Sequence, residues 1–95
     1  MDAVAKAAPP IWQSVSQEQI DEIVQRIVRA LSPEKIILFG AYARGTPTLD
    51  SDVDLLVIWD TDQSPLERYM TVSSLLIPRQ FPMDILVHTP AEIEQ

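Results

Sequence analysis

Only two glycines occur in this chain of 95 residues, Gly40 and Gly45, and they bracket one turn between two apolar runs. Glycine lets a backbone turn sharply or lie close against a ligand, so that freedom is concentrated in Phe39-Gly40-Ala41-Tyr42-Ala43-Arg44-Gly45. A short polar loop then leads to Asp52-Val53-Asp54-Leu55-Leu56-Val57. Side chains on a strand alternate faces, so Asp52 and Asp54 are expected to leave from the same side. Two carboxylates that close repel one another unless a cation sits between them.

The rest of the composition bounds what can surround that turn. Ninety-five residues with 46% apolar content suit one small domain with one core, expected over 16–95 behind a flexible arm at 1–15 in which Ile11 and Trp12 are candidate anchors. The longest apolar run, Leu55 to Trp59, falls far short of the roughly 20 residues that span a bilayer, and the first residues lack a basic segment followed by an apolar one. Neither a membrane span nor an export signal is expected. The chain has no cysteine, which excludes disulfides and thiolate sites and fits a cytoplasmic location. A net charge of −7, with seven Lys and Arg among fourteen acids, argues against nucleic acid as a ligand and favours a basic protein partner. A nucleotide fits that charge only if divalent metal first neutralises the local acids.

Periodicity gives the elements. Ser16-Gln17-Glu18-Gln19 reads as a capping box, and Ile20, Ile23, Val24, Ile27, Val28 and Leu31 follow at helical spacing until Ser32-Pro33. Lys35 to Phe39 reads as a buried strand that stops at Gly40. Asp52 to Trp59 reads as a central strand, its unbroken apolar run suggesting cover on both faces beyond the acids. Ser64-Pro65-Leu66-Glu67 starts a second helix, expected to bury Leu66, Tyr69, Met70, Ser73 and Leu76 or Ile77 and to run to Pro78. Met83 to Val87 reads as a third strand with Asp84 near its start. Thr89-Pro90-Ala91-Glu92 repeats the helix-start pattern too near Gln95 for two turns, which suggests a shortened parent or a tail ordered by a partner. These elements predict an α/β domain with a short mixed sheet and helices mainly on one face.

If the second and third strands are neighbours, Asp52, Asp54 and Asp84 meet at one sheet edge beside the glycine turn. Three hard oxygen ligands suit one or two Mg²⁺ ions, which keep several waters and bind nucleotide phosphates. In a two-metal site one ion activates the attacking oxygen and the other stabilises the leaving phosphate, while a backbone turn donates N–H groups to the phosphate chain.

These residues resemble a known family. Gly40-Ala41, ten intervening residues, Asp52-Val53-Asp54 and the later Asp84 are similar to the pattern of the minimal nucleotidyltransferases of the polymerase-β superfamily, Gly-Ser, ten residues, Asp-x-Asp, then a third Asp on a following strand. The resemblance runs from about Ile36 to Pro90, and Tyr42-Ala43-Arg44-Gly45 looks like the family's continuation of the turn. It implies the polymerase-β-like nucleotidyltransferase fold, with Asp52 and Asp54 ligating two Mg²⁺ ions and Asp84 completing the nucleophile-side metal and helping to deprotonate the acceptor hydroxyl. It implies that Gly40 and Ala41 hold the β- and γ-phosphates of ATP or another NTP. Small members are similar to the antitoxins of HEPN/MNT toxin–antitoxin pairs, which transfer AMP to a tyrosine of an all-helical HEPN ribonuclease; that implies a HEPN-type toxin as partner and acceptor. Ala41 departs from the usual serine, so one hydroxyl donor to the triphosphate is missing. A hydrogen bond to a charged group contributes about 1.5–3 kcal/mol, so nucleotide binding is expected to weaken roughly tenfold or more with the site retained. An antitoxin that neutralises its partner by binding alone is the alternative reading.

Plainer roles compete for several residues. An isolated Asp-x-Asp is more often a solvated strand entry; the glycine turn and Asp84 reverse that preference here. Arg44 is a candidate phosphate ligand and also a candidate surface ion pair. Gly45 reads as an ordinary turn glycine, Asp50 as a residue that caps or turns the loop backbone and His88 as a solvated or hydrogen-bonded strand end. Tyr69, Met70 and Trp59 are expected to pack in the core. Self-association is left open.

Overall fold

The computed structural model describes residues 15–48 and 51–94; the expected arm over 1–15, with Ile11 and Trp12, lies outside these residues except for Val15, and Asp50 lies outside them altogether. Seven elements follow in order: α1 (Gln17–Leu31), β1 (Lys35–Phe39), α2 (Gly40–Arg44), β2 (Val53–Ile58), α3 (Pro65–Ser74), β3 (Met83–His88) and α4 (Pro90–Glu94). The sheet order is β1-β2-β3, with β1 antiparallel to β2 and β2 parallel to β3. The parallel pair requires a crossover, which α3 supplies.

Both longer helices begin as their sequences dictate. At α1 the Gln19 N–H donates to Ser16 Oγ (3.2 Å) and the Ser16 N–H donates to Gln19 Oε1 (2.9 Å), closing a capping box. At α3 Ser64 and Glu67 make the same reciprocal pair, with Pro65 in the first turn. One hydrophobic cluster joins Ile20, Ile23 and Ile27 of α1, Val53, Leu55 and Val57 of β2, Val72 and Leu76, and Phe81, Met83 and Ile85. In β2 and β3 the residues between these buried ones, Asp54, Leu56, Asp84 and Leu86, point to the opposite sheet face. Helices therefore cover one face of a mixed sheet, and the acids stand on the other.

Four details depart from the sequence reading. The segment between the glycines is a one-turn helix, α2, and Gly45 caps it at φ 76°. The second strand begins at Val53, so Asp52 sits at its mouth. On the second face of β2 Ile58 is buried and Leu56 half-buried, so the cover there is partial. The face of α3 is the largest departure: Arg68 and Val72 are buried, whereas Leu66 (68% exposed), Met70 (60%), Tyr69 (40%) and Ile77 (69%) face outward, and the helix ends at Ser74. The reason lies in Arg68. Its whole side chain is buried, guanidinium included, and Nη2 donates to Glu92 Oε2 at 2.7 Å, so a residue counted as polar occupies the core-facing stripe. No helix among the described residues is long and apolar enough to cross a membrane.

Candidate active site

The register sets the acids side by side. Phe39 of β1 lies opposite Asp54 of β2, and Asp54 lies opposite Asp84 of β3, so these residues form one row across the open face. Neighbouring strands are about 4.7–4.9 Å apart, which keeps Asp54 and Asp84 within strong mutual influence. Asp54 is half-buried; Asp84 and Asp52 are exposed.

Directly beside this row, β1 ends and Gly40 turns the chain at φ 75°. A Cβ built on Gly40 would overlap Asp54 Oδ2 and stand 3.1 Å from Asp54 Cγ, so the carboxylate rests on the glycine's bare Cα. Glycine is required there twice over, by its φ and by the space. This contact between the turn and the acid is not visible in the sequence, where the two residues are fourteen positions apart.

The electrostatics of the row follow from its geometry. Burial raises the Asp54 pKa above the ordinary carboxylate value, the neighbouring charges of Asp84 and Asp52 raise it further, and Arg44 opposes the rise. The site thus carries an excess of negative charge that its own residues do not offset. Among the described residues, no three carboxylates are gathered tightly enough to form a ready-made metal cage. Mutually repelling acids of this kind share an edge and a face without closing on a common point.

The start of α2 borders the row of acids. Phe39, its N-cap, contributes no side-chain hydrogen bond, which leaves the first-turn N–H groups of Gly40 and Ala41 without a side-chain cap. Arg44 occupies the last turn of α2, exposed, with its charge felt at Asp54. The helix is pinned by Tyr42, whose hydroxyl accepts from the Val15 N–H at 2.9 Å, and by the Thr46 N–H donating to the Ala41 carbonyl at 3.0 Å. The sequence signal for this pin is an aromatic residue with a polar tip inside the glycine turn.

His88 lies at the far end of β3, where its Nδ1 is 3.2 Å from Glu92 Oε1, away from the acids. Tyr69 and Met70 are exposed on α3, contrary to the expected core role, because Arg68 and Val72 take the inward stripe. Trp59 is half-buried against the core cluster.

Known proteins resemble this chain in sequence and in fold. A family profile described as a nucleotidyltransferase domain matches residues 18–95. A protein of Methanocaldococcus jannaschii, named as a candidate protein adenylyltransferase, is 42% identical over 48 residues, covering 44% of this chain. The chain spans about half of that relative, 48% of its length. A crystal structure of a candidate nucleotidyltransferase from Sulfolobus solfataricus superposes with a TM-score of 0.65 at 24% identity, covering 81% of this chain and 69% of the other. At that identity the likeness speaks for the fold.

Proposed function

The chain belongs to the nucleotidyltransferase domain family, and from that premise we propose that it transfers AMP from ATP to a tyrosine hydroxyl of a HEPN-type toxin, acting as its antitoxin. The observation that carries this reading is the seating of the Asp54 carboxylate on Gly40, with Asp84 across from it. That contact joins a phosphate-binding turn to a row of acids on an open face. The name of the Methanocaldococcus relative supports an adenylyl donor and a protein acceptor. The net charge of −7 supports a basic partner surface.

In this reading the backbone N–H groups of Gly40 and Ala41 hold the β- and γ-phosphates, and Arg44 adds positive charge beside them. Asp52, Asp54 and Asp84 fit Mg²⁺ by the chemistry of the donor set, hard carboxylate oxygens with charge in excess, and by the raised Asp54 pKa that a cation would relieve. Bound there, Mg²⁺ neutralises acids and phosphates together and lowers the cost of ionising the acceptor hydroxyl. Asp84 takes the acceptor's proton, the tyrosine oxygen bonds to the α-phosphorus, and the bond to the β-phosphate breaks with pyrophosphate leaving.

The test is incubation of the chain, Mg²⁺ and ATP labelled on its α-phosphate with a purified HEPN-type protein. Label is expected on a tyrosine of that protein, and it should vanish without Mg²⁺ and in the Asp52→Asn, Asp54→Asn double variant. Label persisting in the double variant would overturn the site. A second reading, neutralisation by occlusion alone, is favoured by one observation, the missing hydroxyl at Ala41. An Asp54→Asn chain that still protects cells at normal levels selects it.

A further inference from the structure

Arg79 lies in the loop between α3 and β3, five residues before Asp84, and its guanidinium gathers three otherwise separate groups. Nη2 donates to Ser73 Oγ at 2.7 Å and to the Tyr69 hydroxyl at 3.5 Å, both on α3, while Nη1 donates to the Met83 carbonyl at 3.3 Å. The direction of that carbonyl matters. The Pro82 and His88 carbonyls accept from Val53 and Trp59 N–H at 3.1 and 2.9 Å, so the even-numbered backbone groups of β3 face β2. The carbonyl of Met83, an odd position, therefore faces away from the sheet, at the outer edge of an edge strand. Asp84 is the next residue, and the peptide that Arg79 grips is the one that carries it.

We propose that Arg79 is a positioning residue for Asp84: its fork ties the first peptide of β3 to the last turn of α3 and so fixes where the third acid stands. On the inner side the parallel ladder holds the backbone of Asp84 to β2, where its register partner is Asp54, and the two carboxylates repel one another. A planar guanidinium with donors in a fixed geometry suits this bridging in a way that a single ammonium does not. Without the bridge this peptide keeps its ladder to β2 and its buried neighbours Met83 and Ile85 but loses its outer tether, and the placement of Asp84 in the row shared with Asp54 loosens.

This inference rests on the proposed site, and the experiment separates the two. Paramagnetic broadening of assigned backbone amides is followed while Mn²⁺ is titrated with ATP into the wild-type chain, Arg79→Ala and Ser73→Ala. In the wild type, amides around Asp52, Asp54 and Asp84 are expected to broaden together. In Arg79→Ala the three positions should broaden together only at about tenfold higher Mn²⁺, the lower end of what loss of an outer-shell partner costs in metal affinity. In the metal-free chain, hydrogen exchange of the β3 amides should quicken while that of the α1 and β1 amides is unchanged. Ser73→Ala should shift both readouts in the same direction by less, and it serves if Arg79→Ala does not fold. Exchange that quickens across the whole domain, or equal titrations in the wild type and both variants, overturns the role of Arg79. Absence of broadening near all three acids in the wild type overturns the site itself and the inference with it.

Discussion

The two ends of β3 hold carboxylates in opposite circumstances. At its far end Glu92 accepts from Arg68 at 2.7 Å and from the Thr89 N–H at 2.9 Å, and His88 Nδ1 lies 3.2 Å away. The Arg68 hydrogen bond, followed by that of Thr89, lowers the Glu92 pKa to about 2. At the near end Asp54 is desolvated beside two like charges, and its pKa is raised. One end offsets its charge with its own residues; the other keeps an excess. A fold of this size, stabilised by a few kcal/mol, retains an electrostatic cost where function needs it. The Arg68–Glu92 pair fastens α4 to α3, and the proposed function puts the uncompensated Asp54 end to work.

The largest expected effect comes from removing the excess itself. Asp54→Asn should lower the rate of adenylyl transfer by about three orders of magnitude, since charge stabilisation at such a site supplies several kcal/mol of the barrier reduction. Steady-state kinetics with label on the α-phosphate measures this, and a loss of less than about tenfold would break the contrast between the ends. Gly40→Ala should follow, with a loss of about 100-fold through displacement of the Asp54 carboxylate, the usual order for a misplacement near 1 Å. A crystal structure of the variant should show that carboxylate moved off its seat.

The pH dependence of stability sharpens the comparison because the two ends have opposite signs. A carboxylate with a lowered folded pKa binds protons less readily when folded, so the contribution of Glu92 is present above the ordinary carboxylate value and is lost as pH falls toward about 2. A carboxylate with a raised folded pKa binds protons more readily when folded, so Asp54 destabilises at neutral pH and that cost disappears as pH falls through its raised pKa. In denaturation midpoints measured from neutral to acid pH, Glu92→Gln should be less stable than the wild type and Asp54→Asn more stable, with both gaps closing in acid. The smallest effect belongs to the exposed stripe of α3. Met70→Lys should change stability by no more than about 0.5 kcal/mol, whereas Val72→Ala, inside the core, should cost about 1–2 kcal/mol.

Much of this was legible in the residues. The capping boxes at Ser16 and Ser64 and the three strands follow from local pattern and short-range hydrogen bonding, which depend on neighbours in sequence; the order of the strands does not. The open-face row of Asp54 and Asp84 was also accessible, because strand alternation and the parallel crossover fix which side chains share a face. What stayed hidden depends on partners distant in sequence. The inward stripe of α3 could not be read from hydrophobicity because Arg68 buries its side chain only once Glu92, 24 residues later, meets its guanidinium. The same holds for Gly40, whose second reason for being glycine is Asp54, and for Tyr42, whose hydroxyl meets the backbone at Val15. Glu92 and its helix were underestimated for a related reason: a five-residue helix is marginal alone and is held here by an ion pair to α3.

The most direct measurement is the denaturation midpoint of the wild type and Asp54→Asn, each with and without Mg²⁺ and ATP. A site that holds uncompensated charge for a cation and nucleotide gains stability when they bind, by mass action. The wild type should rise on adding Mg²⁺ and ATP together; Asp54→Asn should begin above the wild type and gain little. An Asp54→Asn chain that begins below the wild type and rises by the same amount would contradict the account.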